Sequence, residues 1–235
     1  MQSQFNSIPD VTKNLIILNL LMFLASISLS NIVSLNFVNY YVEHPSFQPY
    51  QLVTSFFMHA DFWHLFFNMF VLFMFGADVE RNLGPKRFLF IYLSAGLGAN
   101  IISMLADYFQ VHQLMIGLSA DQIAWSKGLI KLNVDDITGQ MQELGNLWLK
   151  RSLGASGATY GVLFTFAALY PNRTLRLLIP PIPIKATYLV LALATFEFIS
   201  EMSRAQTGIG HIVHLLGAVI ALIIIWAWRK QGARF

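Results

Sequence analysis

Cysteine is absent from the 235 residues. That excludes disulfides, thiolate nucleophiles and cysteine-based metal sites, and it leaves the redox state of the compartment open. Charge is nearly as scarce: Asp, Glu, Lys and Arg make up 11% of the chain, against about 25% in a soluble globular domain. The net charge is only +3, and the basic residues sit in loops between apolar runs, so nothing here resembles a nucleic-acid surface. Internal repeats and low-complexity tracts are missing too. So is the paired repeat of interrupted helices that marks many transporters. What fills the chain is apolar, with 56% hydrophobic residues and a mean hydropathy of +0.57. An all-α polytopic membrane protein follows.

Six spans are predicted, at about 14–35, 62–75 (running on to 78), 88–108, 156–170, 184–199 and 210–228. Several fall short of the ~20 residues a lone span needs, which suits helices enclosed by others. The run after Lys13 has a long leading region and no Ala-x-Ala site, so it is expected to be a retained first span and not a cleaved signal. Ten cations (Lys13, Arg81, Lys86, Arg87, Arg173, Arg176, Lys185, Arg229, Lys230, Arg234) fall in one set of loops, and five (Lys127, Lys131, Lys150, Arg151, Arg204) in the other. Both termini are therefore expected in the cytoplasm, in a bacterial cytoplasmic membrane because no transit signature is present.

Two outer segments are long. Residues 36–61 are aromatic-rich and too broken to span, as an interfacial segment would be. In the loop 109–152, Ser119 and Gln122 have capping-box spacing, and Val134, Ile137, Met141, Leu144 and Trp148 recur at helical spacing. That second helix is expected to rest on the outer leaflet. His44, His59 and His112 are expected at the outer surface, with His59 near enough to touch a substrate.

Polar groups at membrane depth are costly and mark function by default. At ~1.5 Å per residue, Ser156 and His214 each lie about 22 Å from the cytoplasmic end of their spans, Asn68 about 20 Å and His64 about 25 Å. All four can share one layer of a core ~30 Å thick. Gly157 and Gly161, and Gly217 and Ala221, are spaced to give flat faces that bring the fourth and sixth spans together. A serine hydroxyl needs an adjacent base, and neutral histidine is the usual one. Ser156 as nucleophile and His214 as general base is the reading. His64 and Asn68, four apart on one face, would donate to an oxyanion, with Gly154 and Gly157 giving a substrate backbone room. Taken singly, each residue also has a plain structural use: Ser156 as an N-cap, His64 and Asn68 as interhelical hydrogen-bond glue, His214 as a packed imidazole. His211, one turn outward, is a rival base. Glu197, in the fifth span, is another buried acid, expected either to pair with a neighbour or to stay protonated, with no assigned role.

Taken together, HLFFN at 64–68, GASG at 154–157, HLLG at 214–217 and VERNLG at 79–84 resemble the rhomboid family of intramembrane serine proteases. The resemblance covers about residues 47–228 and implies one six-helix membrane domain over 1–235, opening to the outer face. It implies a Ser156–His214 dyad with no orienting acid, an oxyanion hole from Asn68, His64 and the Ser156 backbone N–H, and Tyr160 packed beside His214. Substrates would be single-span membrane proteins cut within the bilayer, with no metal or cofactor and no nucleic-acid partner. Tyr50-Gln51 stands where many members have Trp-Arg, which leaves the anchoring of the first loop to be explained. Two other classes use the same residues: a non-catalytic protein of this architecture that binds single-span clients, and a transporter passing protons along His64, Glu197 and His214.

Overall fold

The computed structural model describes residues 8–131, 136–176, 182–203 and 210–233. Val134, Asp135, Arg204 and Arg234 lie outside the described residues. The first apolar run forms α1 (Asp10–Ser28) and a short α2 (Ser30–Phe37). Asp61 then caps α4 (Phe62–Val71), its side chain accepting the His64 N–H at 2.9 Å. Before it lies the small α3 (Gln51–Thr54). The second span runs on through one π-helical turn at Leu72–Gly76 into α5 (Ala77–Leu83). Gly84 at φ 80° ends it, and Pro85 opens α6 (Pro85–Met115) from the first helical position.

The 31 residues of α6 make a rod of about 46 Å, longer than the apolar core is thick. The predicted third span is therefore only the middle of a helix that runs on past residue 108 to Met115. The extension changes the fate of the loop after it. Ser119 and Gln122 do form a capping box at the start of α7 (Ala120–Ser126), and Thr138 caps α8 (Gly139–Trp148). The apolar face of α8 (Met141, Leu144, Trp148) is buried with Tyr41 and with Val111 near the end of α6. That face is covered by protein, because the far end of α6 gives it a surface to pack on.

Three helices complete the bundle: α9 (Ser156–Leu169), α10 (Ala186–Met202) and α11 (His211–Lys230). Among the described residues, four helical stretches are long and apolar enough to cross a membrane: Asp10–Ser28, Phe62–Leu83, Pro85–Met115 and His211–Lys230. The remaining two, α9 and α10, have 14 and 17 residues. At about 21 Å, α9 falls short of the bilayer core, yet ten of its residues, from Gly157 to Ala167, are buried. Its neighbours enclose it, so its length is not set by lipid.

Small residues decide this packing. A Cβ at Gly217 would lie 2.0 Å from the Gly157 carbonyl oxygen, and one at Gly161 would lie 2.5 Å from Ala95 Cβ. The glycine faces of α9 and α11 thus meet backbone to backbone, and α6 closes the third side through Ala95 and Ala99.

The two ends of the bundle differ. At one end Asp78 pairs with Arg81 and Arg173, Arg229 donates to the Ala168 carbonyl, and β3 (Thr174–Arg176) pairs with β4 (Pro183–Lys185). Glu80, buried at this end, accepts from the Val11 and Thr12 amides at 3.0 and 2.7 Å and from the Thr12 hydroxyl at 2.7 Å. At the other end β1 (Asn39–Tyr40) pairs with β2 (Arg151–Ser152), tying the first loop to the strand that leads into α9. Gln51 answers how that loop is anchored without an arginine. Its buried amide donates to the Asn36 and Ser46 carbonyls and accepts from the Gln48 amide.

Candidate active site

Ser156 is the first residue of α9, and the N-cap is Ala155, which makes no side-chain cap. The hydroxyl is therefore not used in capping the helix, and the N-cap reading of Ser156 does not apply. Gly154, at φ 112°, makes the turn into the helix and donates its amide to the Ser55 carbonyl at 2.8 Å. The ring of His64 lies so close that a Cβ on Gly154 would come within 2.7 Å of its Cε1 and Nε2. Only glycine satisfies both demands.

The Gly157–Gly217 contact sets the head of α9 against the first turns of α11, and Val213 packs on Gly157. One turn into α9, the Tyr160 ring stacks on the His214 ring with centroids 4.3 Å apart and planes 10° from parallel. His214 Nδ1 is 2.9 Å from Glu197 Oε1. The same carboxylate accepts from the Tyr160 hydroxyl on Oε1 and from His211 Nδ1 on Oε2. This departs from the acid-free dyad that the resemblance implies: a buried acid on α10 holds the imidazole. With Nδ1 so occupied, Nε2 is the ring nitrogen left to act as a base. Ser156 Oγ and His214 share no hydrogen bond among the described residues.

On α4, Asn68 Nδ2 donates to the His64 carbonyl at 2.8 Å, and Asn68 Oδ1 faces Thr159 Oγ1 at 2.9 Å. The carbonyl fixes which end of the amide carries the NH2. Thr159 must then donate to Oδ1, with the Ser156 carbonyl a second acceptor at 3.0 Å. One NH2 proton of Asn68 remains for another partner. Thr159 escaped the sequence reading, although a threonine three residues after Ser156 in a span was its available signal. For Glu197 a neighbouring partner is one of two expectations from the sequence, and the structure supplies its partners, His211, His214 and Tyr160. An acid in one span and two histidines a turn apart in the next would have suggested the cluster. The donor atoms of Glu197, His211 and His214 lie within 4.8 Å of one another, a spacing that could also admit a metal ion.

His59 is a correction. It is not at the surface but 5% exposed, with its ring 5.0 Å from that of His64 and neither ring nitrogen hydrogen-bonded among the described residues. Burial, reinforced by the His64 ring and opposed by Asp61, pushes its imidazole down to about 4. Unfolded, it titrates near ~6.5. Its neutral burial is thus fully tolerated above pH ~6.5, and stability falls as pH drops from there towards 4. Between pH 7.5 and 5, His59→Leu should reduce the loss of unfolding free energy by about 2 kcal/mol. Thermal unfolding of both chains at the two pH values checks this, and identical slopes would contradict it. Among the described residues, one cavity is lined by Asn100, Asp107 and Lys150 and another by His44, Gln51 and Arg151; Ser156 and His214 line neither of these two.

The sequence profile of the Rhomboid domain matches residues 46–231. RHOMBOID-like protein 12, mitochondrial, of Arabidopsis thaliana is 28% identical over 77% of this chain and 46% of its own length. Rhomboid protease AarA of Providencia stuartii is 23% identical over 74% of this chain and 54% of its own. Putative rhomboid protease YdcA of Bacillus subtilis is 42% identical over 65 residues, 26% of this chain and 33% of that protein. The chain spans about half the length of the first two. Relatives named mitochondrial or chloroplastic stand beside bacterial ones, so the expected bacterial cytoplasmic membrane finds no support in them.

Proposed function

This chain belongs to the rhomboid family of membrane proteins, and on that premise we propose that it is an intramembrane serine endopeptidase acting on single-span membrane proteins. Ser156 is the nucleophile and His214 the general base. The observation that carries the reading is the α9–α11 crossing. It sets the head of α9, with its uncommitted hydroxyl, against the turn of α11 whose imidazole is stacked on Tyr160.

A substrate helix resists attack because its carbonyls are already hydrogen-bonded, so a locally unwound segment is the species cut. Ser156 Oγ bonds to the scissile carbonyl carbon while its proton passes to His214 Nε2. The developing oxyanion meets the Ser156 backbone N–H at the positive end of α9, the remaining NH2 proton of Asn68 and His64. His214 returns the proton to the leaving amine, the C–N bond breaks, and water hydrolyses the acyl-enzyme. The cation-rich end of the bundle faces the compartment of synthesis, and the site opens to the opposite side.

A fluorophosphonate probe tests the nucleophile without knowledge of the substrate. Purified protein in lipid should be labelled once per chain, and Ser156→Ala should abolish the label. An unlabelled wild-type chain, or a label that survives the substitution, would favour the non-catalytic client binder.

A further inference from the structure

We propose that Glu197 is a positioning residue for His214, making a Ser156–His214–Glu197 relay in which the acid fixes the imidazole tautomer and faces its charge during turnover. The proposal rests on the protease reading above. Its ground is the donor count around one carboxylate. Glu197 is 2% exposed, and its two oxygens receive the Tyr160 hydroxyl, His211 Nδ1 and His214 Nδ1. In the proposed state the carboxylate is ionised and only accepts, so each ring nitrogen that faces it carries the proton. His214 is thereby held as the Nδ1–H tautomer, with its lone pair on Nε2.

The three contacts divide the work. His211 takes Oε2, which stops the carboxylate from turning away. Tyr160 takes Oε1 and at the same time covers the face of the His214 ring. Serine and imidazole alone could be placed by helix packing, but packing does not choose a tautomer. At this depth an imidazolium formed during acylation would also be a poorly solvated charge. In the proposed step the Ser156 proton arrives at His214 Nε2, the Nδ1–H stays hydrogen-bonded to Glu197, and Glu197 keeps its charge. Nothing is added or lost when His214 then passes its Nε2 proton to the leaving amine.

The resting enzyme tests the first half of this. In 15N-histidine-labelled protein in micelles, His214 (assigned by the loss of its signal in His214→Ala) should show a protonated Nδ1 and an unprotonated Nε2. Glu197→Gln should disturb that pattern and lower kcat by about 10² to 10⁴-fold with KM little changed, the scale on which losing an orienting acid acts in serine proteases. Glu197→Asp, which keeps the charge, should regain part of the rate and covers the case in which Glu197→Gln fails to fold. A wild-type His214 protonated on Nε2 instead would overturn the proposal. So would a Glu197→Gln enzyme that cleaves at the wild-type rate; with Ser156 still labelled, the dyad itself would stand. A wild-type chain that neither labels nor cleaves removes the protease reading and this assignment with it.

Discussion

His214→Ala should lower turnover of a single-span reporter by about 10⁴-fold or more, the loss seen when serine hydrolases lose their base. Without it Ser156 has no acceptor for its proton, and a serine hydroxyl alone is a poor nucleophile. The cluster around Glu197 should survive. The carboxylate keeps Tyr160 and His211 as donors, so no buried charge is stranded. Thermal unfolding of the variant should therefore lie within a few degrees of wild type while fluorophosphonate labelling at Ser156 disappears. Turnover within tenfold of wild type would end the assignment of His214 and return His211 as the candidate base.

Gly217→Ala should be the most damaging single methyl in the bundle. Its Cβ would stand 2.0 Å from the Gly157 carbonyl oxygen, 2.7 Å from its carbonyl carbon and 3.0 Å from its Cα. All three atoms are backbone, so no side chain can swing aside and the two helices must separate. Overpacked cores usually lose 1–3 kcal/mol, and an unyielding contact belongs at or above about 3 kcal/mol. Activity should fall with stability, since the same displacement draws the head of α9 away from the first turns of α11. Gly139→Ala is the matched control. Nothing lies within 4 Å of its Cβ, and it opens the exposed start of α8. It should be neutral or gain roughly 0.4–1 kcal/mol. Equal unfolding temperatures for the two variants would contradict this account of the packing.

How much of this could be read beforehand depends on the range of the forces involved. Hydropathy and capping act locally. The six apolar runs, the Ser119–Gln122 box and the glycine spacing on α9 and α11 were therefore visible in the letters. The partner of those glycine faces was not complete, because SAGLGAN in α6 offers small residues without saying which helix they meet; Ala95 and Ala99 become legible only in three dimensions. The same holds for the polar site. The places of Ser156 and His214 near the starts of their helices follow from residue counting, whereas the meeting of Glu197 with two imidazoles depends on how α10 is rotated against α11. The burial of His59 and the lodging of α8 on α6 are likewise matters of what surface happens to be near.

Glu80 sets an order of events during biosynthesis. The leading amides of α1 find their acceptor 68 and 69 residues further along the chain. Synthesis runs from the N-terminus, so the opening turn of α1 is made before that carboxylate exists, and its amides must first look to water or headgroups. Only when the second span has been threaded can the two lock. The first span is thus held by a latch that closes late, and a nascent chain halted short of residue 80 would leave that span free to drift in the lipid.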